Sequence, residues 1–238
     1  MKLIIVKRKW ILITLALLVV ITISIPIYKN YRYRAVATLM PSLTKVIVLD
    51  PGHGGVDPGA VSKNGVKEKD INLEIAEYLR EYLEQSGAVV IMTRTEDVGL
   101  YSSGGSLRQK KNEDLRRRKE IVQKSGGDIF ITIHLNSFQQ TQYYGAQTFY
   151  PKDNSIGKPL AEKIQAELVN TLDKNNKRVA LAKEGVYVIK GLDIPTVLVE
   201  CGFLSNPNEE KLLKTSNYQK KIAWAIYVGI QKYFSEKP

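Results

Sequence analysis

Cysteine is nearly absent from this chain of 238 residues: Cys201 stands alone, so no internal disulfide staples the fold. Histidine is almost as scarce, represented by His53 and His134 only. Acidic residues are missing altogether from residues 1–35, which carry Lys2, Lys7, Arg8, Lys9, Lys29, Arg32 and Arg34. Seven of the net eleven positive charges therefore belong to that segment, and the four left over are a mild bias for the rest of the chain. This placement argues against a nucleic-acid partner, which needs its basic charge on the folded domain. The tyrosines and phenylalanines scatter without a stacking pattern and argue the same way. There is no internal repeat. A hydrophobic content of 44% and a charged content of 25% exclude wholesale disorder, and the length suits one globular domain with a proper core.

What is present begins with "WILITLALLVVITISIPI", Trp10 to Ile27, an uncharged run of branched aliphatics behind basic residues. Residues 1–35 read as an N-terminal transmembrane anchor or signal segment. "AVA" at Ala35 to Ala37 has the small residues of a cleavage site, but Lys29, Arg32 and Arg34 lie between it and the apolar run, which favours an uncleaved anchor. Cations flank both ends, so charge asymmetry does not set the orientation. The polar stretch from residue 28 reads as a connector through residue 44, with residues 36–44 joining the segment to a catalytic domain over 45–238.

In that domain, apolar runs alternate with helical patterns. Strands are expected at Lys45 to Leu49, Ala88 to Thr93, Asp128 to His134, Gly145 to Tyr150, Gly185 to Ile189 and Thr196 to Phe203. Helices are expected from a cap at Asp70 to Gly87, from about Glu113 to Ser125, from Pro159 to Leu172 and from Tyr218 to Phe234. The pattern predicts an α/β fold: an open sheet, mostly parallel or mixed, flanked by helices in a single catalytic domain.

Ligands of such sheets bind beyond the carboxyl ends of the strands. His53 follows the first strand in the turn "DPGHGGVDPGA", His134 ends "FITIH", and Glu200 closes "TVLVE". Glu68 precedes the first helix of the domain and can return to the same edge, although inside "VKEKD" it also reads as a solvated charge. Two histidines and a carboxylate suffice for a zinc site with an open position for water, and a further glutamate can move the protons of amide hydrolysis. Glu200 is the natural candidate for that second role.

The blocks "VIVLDPGHGGVDPGA", "KEKDINLEIAEYL", "IFITIHLNS" and "VLVECGFLSN", in that order, resemble the zinc-dependent N-acetylmuramoyl-L-alanine amidases of the amidase-3 family. The resemblance runs from about Lys45 to Phe234. It implies one zinc ion bound by His53, Glu68 and His134, Glu200 as catalytic acid/base, and hydrolysis of the amide between N-acetylmuramic acid and the L-alanine of the stem peptide. The implied partners are peptidoglycan glycan strands with their stem peptides and the membrane through the N-terminal segment; an accessory activator protein is a further candidate that the sequence does not decide. The implied location is extracytoplasmic, anchored or secreted. "SLRQKKNEDLRRRK" and "GFLSNPNEEKLL" point to the sporulation-specific members, which act on spore cortex and lead to muramic δ-lactam formation between the forespore membranes. A vegetative wall amidase and a non-enzymatic wall-binding protein are the alternatives.

Asp50 is expected to orient the histidine loop or to lie behind the metal ligands. Asn136, with Ser137, is expected near the site as a substrate contact or a loop cap. Arg118 matches a family position, but Val122 and Gln123 replace the Ala-Asn pair that usually follows, which leaves a substrate role for the segment in doubt. Residues 98–112 are polar enough to form an occluding loop. Cys201 points away from Glu200 in a regular strand and reads as core.

Overall fold

The computed structural model describes residues 8–102 and 104–236. The chain divides into two compact units, Met1–Pro41 and Ser42–Pro238.

Among its described residues the first unit holds one helix, α1 (Arg8–Leu39), with Pro26 inside it. Its segment Lys9–Arg32 is long and apolar enough to cross a membrane, with a mean hydropathy of 2.7. The hydroxyls inside it turn back on the helix: Thr14 donates to the Trp10 carbonyl and Ser24 to that of Val20. That arrangement leaves few polar groups needing an outside partner. The stretch from residue 28 expected to be a connector is helical as far as Leu39. Lys2 and Lys7 lie outside the described residues.

The second unit is a six-stranded mixed sheet in the order β2-β1-β3-β6-β4-β5. The parallel part consists of β1 (Val46–Pro51), β2 (Val89–Met92), β3 (Ile129–Asn136) and β6 (Thr196–Phe203). β4 (Gln147–Pro151) runs antiparallel to β6, and the short β5 (Leu181–Lys183) pairs with β4 at the edge. All eight residues of β6 are buried, as a strand covered on both faces requires.

Three helices cover one face: α2 (Glu68–Gln85), α4 (Lys158–Leu172) and α6 (Ser216–Ser235). Their apolar stripes meet Ile47, Leu49, Ile131, Val197, Val199 and Cys201 in the larger core. The other face carries α3 (Leu107–Lys124), with Val122 packed beside Val48, Phe130 and Leu198. A short helix, α5 (Pro207–Leu213), follows β6.

The structure corrects several sequence expectations. α2 opens at Glu68, two residues before Asp70, which lies in the first turn where its charge suits the helix dipole. α3 starts at Leu107, because Ser106 and Gln109 form a reciprocal capping box. Only the first part of the 98–112 segment is therefore loop. Gly185 to Ile189 is not a strand: Val188 and Ile189 plug the smaller core from a turn, so their apolar character reflects burial without sheet pairing.

Candidate metal and hydrolytic site

Successive residues of a strand face opposite sides of the sheet. Ile133 and Val199 face the helical core, so His134 and Glu200 face the other side, and the two are register partners on adjacent strands. The register shifts just after His134, where β6 carries one extra residue, and pairing resumes between Asn136 and Phe203.

His53 sits in the turn beyond β1 with φ of +63°, a left-handed backbone that a side chain adopts only under constraint. Arg118 supplies part of the constraint, donating to the His53 carbonyl at 2.6 Å. Gly54 and Asp57 supply more by exchanging backbone hydrogen bonds of 3.0 and 3.1 Å across the turn. On the ring itself, Nδ1 pairs with Asp57 Oδ2 at 2.9 Å, which leaves Nε2 facing the Glu68 carboxylate at 3.3 Å. His134 Nδ1 lies 3.0 Å from the same Glu68 oxygen, Oε1. That carboxylate is fixed by the backbone N–H groups of Leu135 (2.9 Å, to Oε1) and Ala60 (2.8 Å, to Oε2).

One ligand atom from each of His53, Glu68 and His134 therefore falls within 4.8 Å of the other two. Nitrogen and oxygen ligands about 2.0–2.1 Å from a tetrahedral zinc ion lie about 3.3 Å from one another, close to these spacings. The donor set fits such an ion. Two glycines make room for the three side chains. A Cβ at Gly52 would enter the His134 ring, and one at Gly59 (φ +67°) would come within 2.6 Å of Glu68 Oε2 and 2.7 Å of His53 Cδ2.

The carboxylates set the local electrostatics. Burial disfavours charge on His53, but Asp57 and Glu68 outweigh it and push its pKa up to about 9. Burial likewise opposes ionisation of Glu68, and the two histidines more than offset this, holding its carboxyl well below the usual range. The cluster stabilises positive charge between its histidines and carboxylates.

Behind the turn lies a buried polar layer. Asp50, on the same sheet face as His134, is 1% exposed and accepts from Thr93 (2.6 Å), Thr132 (2.6 Å) and Arg118 (2.7 Å). Burial alone would raise its pKa, yet Arg118 and the two hydroxyls bring it down to about 2. Arg118 is also 1% exposed and bonds Asp114, Asp50 and the carbonyls of Pro51 and His53. It is turned inward as a clamp on the histidine turn, with its guanidinium shielded from solvent. Asn136 is half-buried, and its amide oxygen accepts the Ser137 N–H at 2.9 Å, closing the turn out of β3.

The chain matches the family model of N-acetylmuramoyl-L-alanine amidases (Amidase_3) over residues 47–232. It belongs to that family. The amidase is 43% identical to the germination-specific N-acetylmuramoyl-L-alanine amidase of Bacillus subtilis over 199 residues, 83% of each chain. It is similar to the CwlD amidase of Clostridioides difficile, solved in complex with the GerS lipoprotein, with 53% identity and a TM-score of 0.79. That match covers 81% of this chain and 99% of the other. An N-acetylmuramoyl-L-alanine amidase from Clostridium difficile 630 matches at 30% identity and a TM-score of 0.71, over 83% of this chain and all of that one.

Three side chains at or behind the candidate site escaped the sequence reading. Asp57 carries a usable signal, since it stands four residues after His53 inside the glycine-rich block. Arg94, 3% exposed, donates to the carbonyls of Pro51, Gly52 and Lys69, and nothing in "MTRTED" marks it. Lys183 lies 3.2 Å from Glu200 although it comes from a short edge strand.

Proposed function

We propose that the amidase holds one zinc ion with His53, Glu68 and His134 and uses Glu200 as its general acid/base to cut the bond between N-acetylmuramic acid and L-alanine. The observation that carries this reading is the convergence of three donor atoms within 4.8 Å, beside a glutamate register-paired with one of the ligands. Zinc, when bound, supplies Lewis-acid polarisation of a carbonyl and acidifies water. Asp57 fixes the tautomer of His53 by accepting a hydrogen bond from Nδ1–H, so that the Nε2 lone pair is the ligand. Gly52 lets the His134 ring lie close against the turn. Glu200 takes a proton from the attacking water and returns it to the amide nitrogen as the C–N bond breaks. The products are a lactyl carboxylate on the sugar and a stem peptide with a free amine on L-alanine.

The relatives support a biological setting. Likeness to a germination-specific amidase and to CwlD supports action on spore cortex leading to muramic δ-lactam, in the space between the forespore membranes. The complex of CwlD with GerS supports an accessory lipoprotein partner for this chain as well. Residues 1–35 then serve as the membrane anchor, 36–44 as the link and 45–238 as the zinc amidase domain, on the extracytoplasmic side.

Mass spectrometry of denuded peptidoglycan tests the chemistry, with zinc-loaded protein, chelated protein and the Glu200→Gln variant compared. Release of intact stem peptides by the zinc-loaded protein alone is the expected result. Equal release after chelation, or by the variant, removes zinc or Glu200 from the mechanism.

A further inference from the structure

Glu200 is 8% exposed, and its two carboxylate oxygens have different surroundings. Oε1 accepts from Lys183 Nζ at 3.2 Å. Oε2 is buried and has no hydrogen-bond partner among the described residues. A buried carboxylate is costly without a partner, and Lys183 is the cation that meets this one.

The sheet explains how the lysine gets there. Glu200 pairs with Gln147, and Phe149 pairs with Leu198 on one side and Leu181 on the other. Lys183 pairs with Pro151, so by strand alternation Lys183, Phe149 and Glu200 all share one sheet face. The lysine stem starts on the edge strand β5 and crosses β4 over Phe149, with Nζ 4.3 Å from the ring centroid. The aromatic face supports the ammonium and limits where its head can rest. From that perch it reaches Glu200 on β6.

We propose that Lys183 is the positioning residue of Glu200: by gripping Oε1 it fixes the orientation in which the carboxylate takes the proton from water and passes it to the leaving amine. This rests on the acid/base reading of Glu200 given above. Lys183 adds no proton of its own to the balance. Its contribution is the carboxylate's orientation, which a rotating glutamate would otherwise share between two oxygens.

The test uses the full-length, zinc-loaded amidase and a soluble glycan fragment carrying intact stem peptides. Four variants are compared with the native protein: Lys183→Met, Lys183→Arg, Glu200→Gln, and Glu200→Gln combined with Lys183→Met. Melting temperatures confirm that each folds, and Lys183→Gln repeats the measurement if the methionine variant melts early. Loss of an outer-shell partner at a metal site is worth about 10- to 100-fold, so Lys183→Met is expected to lower kcat by about that factor. KM is expected to stay within about twofold, because ground-state binding is untouched. Lys183→Arg recovers most of the rate, and the double variant is no slower than Glu200→Gln alone, as for two residues acting as one unit. An unchanged kcat in Lys183→Met, losses that multiply in the double variant, or an effect confined to KM each overturns the proposal; the last would make Lys183 a substrate contact. Should Glu200→Gln be inactive while Lys183→Met is fully active, positioning alone fails. An active Glu200→Gln overturns the acid/base reading and this proposal together.

Discussion

Gly52→Ala adds a single methyl group at the point where the histidine turn and β3 come closest. The new Cβ would sit 2.6 Å from His134 Nδ1 and closer still to Nε2 and Cε1. Ordinary contact needs about 3.5 Å, so ring or backbone must retreat by roughly 1 Å. The backbone has little freedom to do so. The Gly52 N–H donates to the Ile133 carbonyl at 3.0 Å, while its own carbonyl accepts from Arg94 at 3.0 Å and from Asn72 at 3.3 Å. The φ of Gly52 is not in the left-handed region, so alanine brings no backbone strain and the whole effect is contact. The ring therefore moves, and metal sites tolerate ligand displacements of only about 0.2 Å. Zinc affinity should fall by at least about 100-fold, the upper end of what outer-shell disruption causes. Overpacking should lower stability of the metal-free domain by only about 1–3 kcal/mol, leaving it folded. Chelator competition against the metal-free protein measures the first quantity and denaturant unfolding the second. Native zinc affinity in a folded Gly52→Ala protein would show that His134 is not a ligand in the position described.

Two further perturbations probe the layer behind the turn. Arg118→Met strands Asp50 and Asp114 without their shared cation and should destabilise the domain by about 3–5 kcal/mol. Arg118→Lys should restore little, since one ammonium cannot reach Asp50, Pro51 and His53 together; a loss below about 1 kcal/mol in denaturant melts would contradict this account. Acid should act through Asp50, whose folded pKa of about 2 lies below its ordinary 3.8. Its contribution is complete above the ordinary value and disappears as the pH falls through about 2. Asp50→Asn should therefore start from lower stability and show a flatter decline across that window, and parallel declines would exclude Asp50 as the source.

Much of the fold is legible in the chain because burial leaves a local trace. β1, β3 and β6 announce themselves as apolar runs, since strands at the centre of a parallel sheet must be apolar on both faces. α3 hides its start because only Arg118 and Val122 are buried along it, and the helix is set by a capping box without a hydrophobic stripe. β5 hides because three residues at a sheet edge carry no period, two of them exposed. Val188 and Ile189 mislead because a turn plugging a small core looks, residue by residue, like a strand.

The site divides along the same line. His53, His134 and Glu200 could be picked out from the sequence, because ionisable groups at the ends of apolar strands are conspicuous and the topology of such sheets sends them to one edge. Asp50 was legible as a neighbour of the histidine turn, without its partners. The inward turn of Arg118, the hold of Arg94 on three carbonyls and the reach of Lys183 over Phe149 required the tertiary structure. Each is a long side chain crossing from one element to another. Neither its rotamer nor its partner is set by neighbours in the chain, only by what packing brings within hydrogen-bond distance. The sequence by itself determined that this protein is an amidase and which strand ends present its candidate groups. The three-dimensional packing decided how those groups are held, because that is settled between elements far apart along the chain.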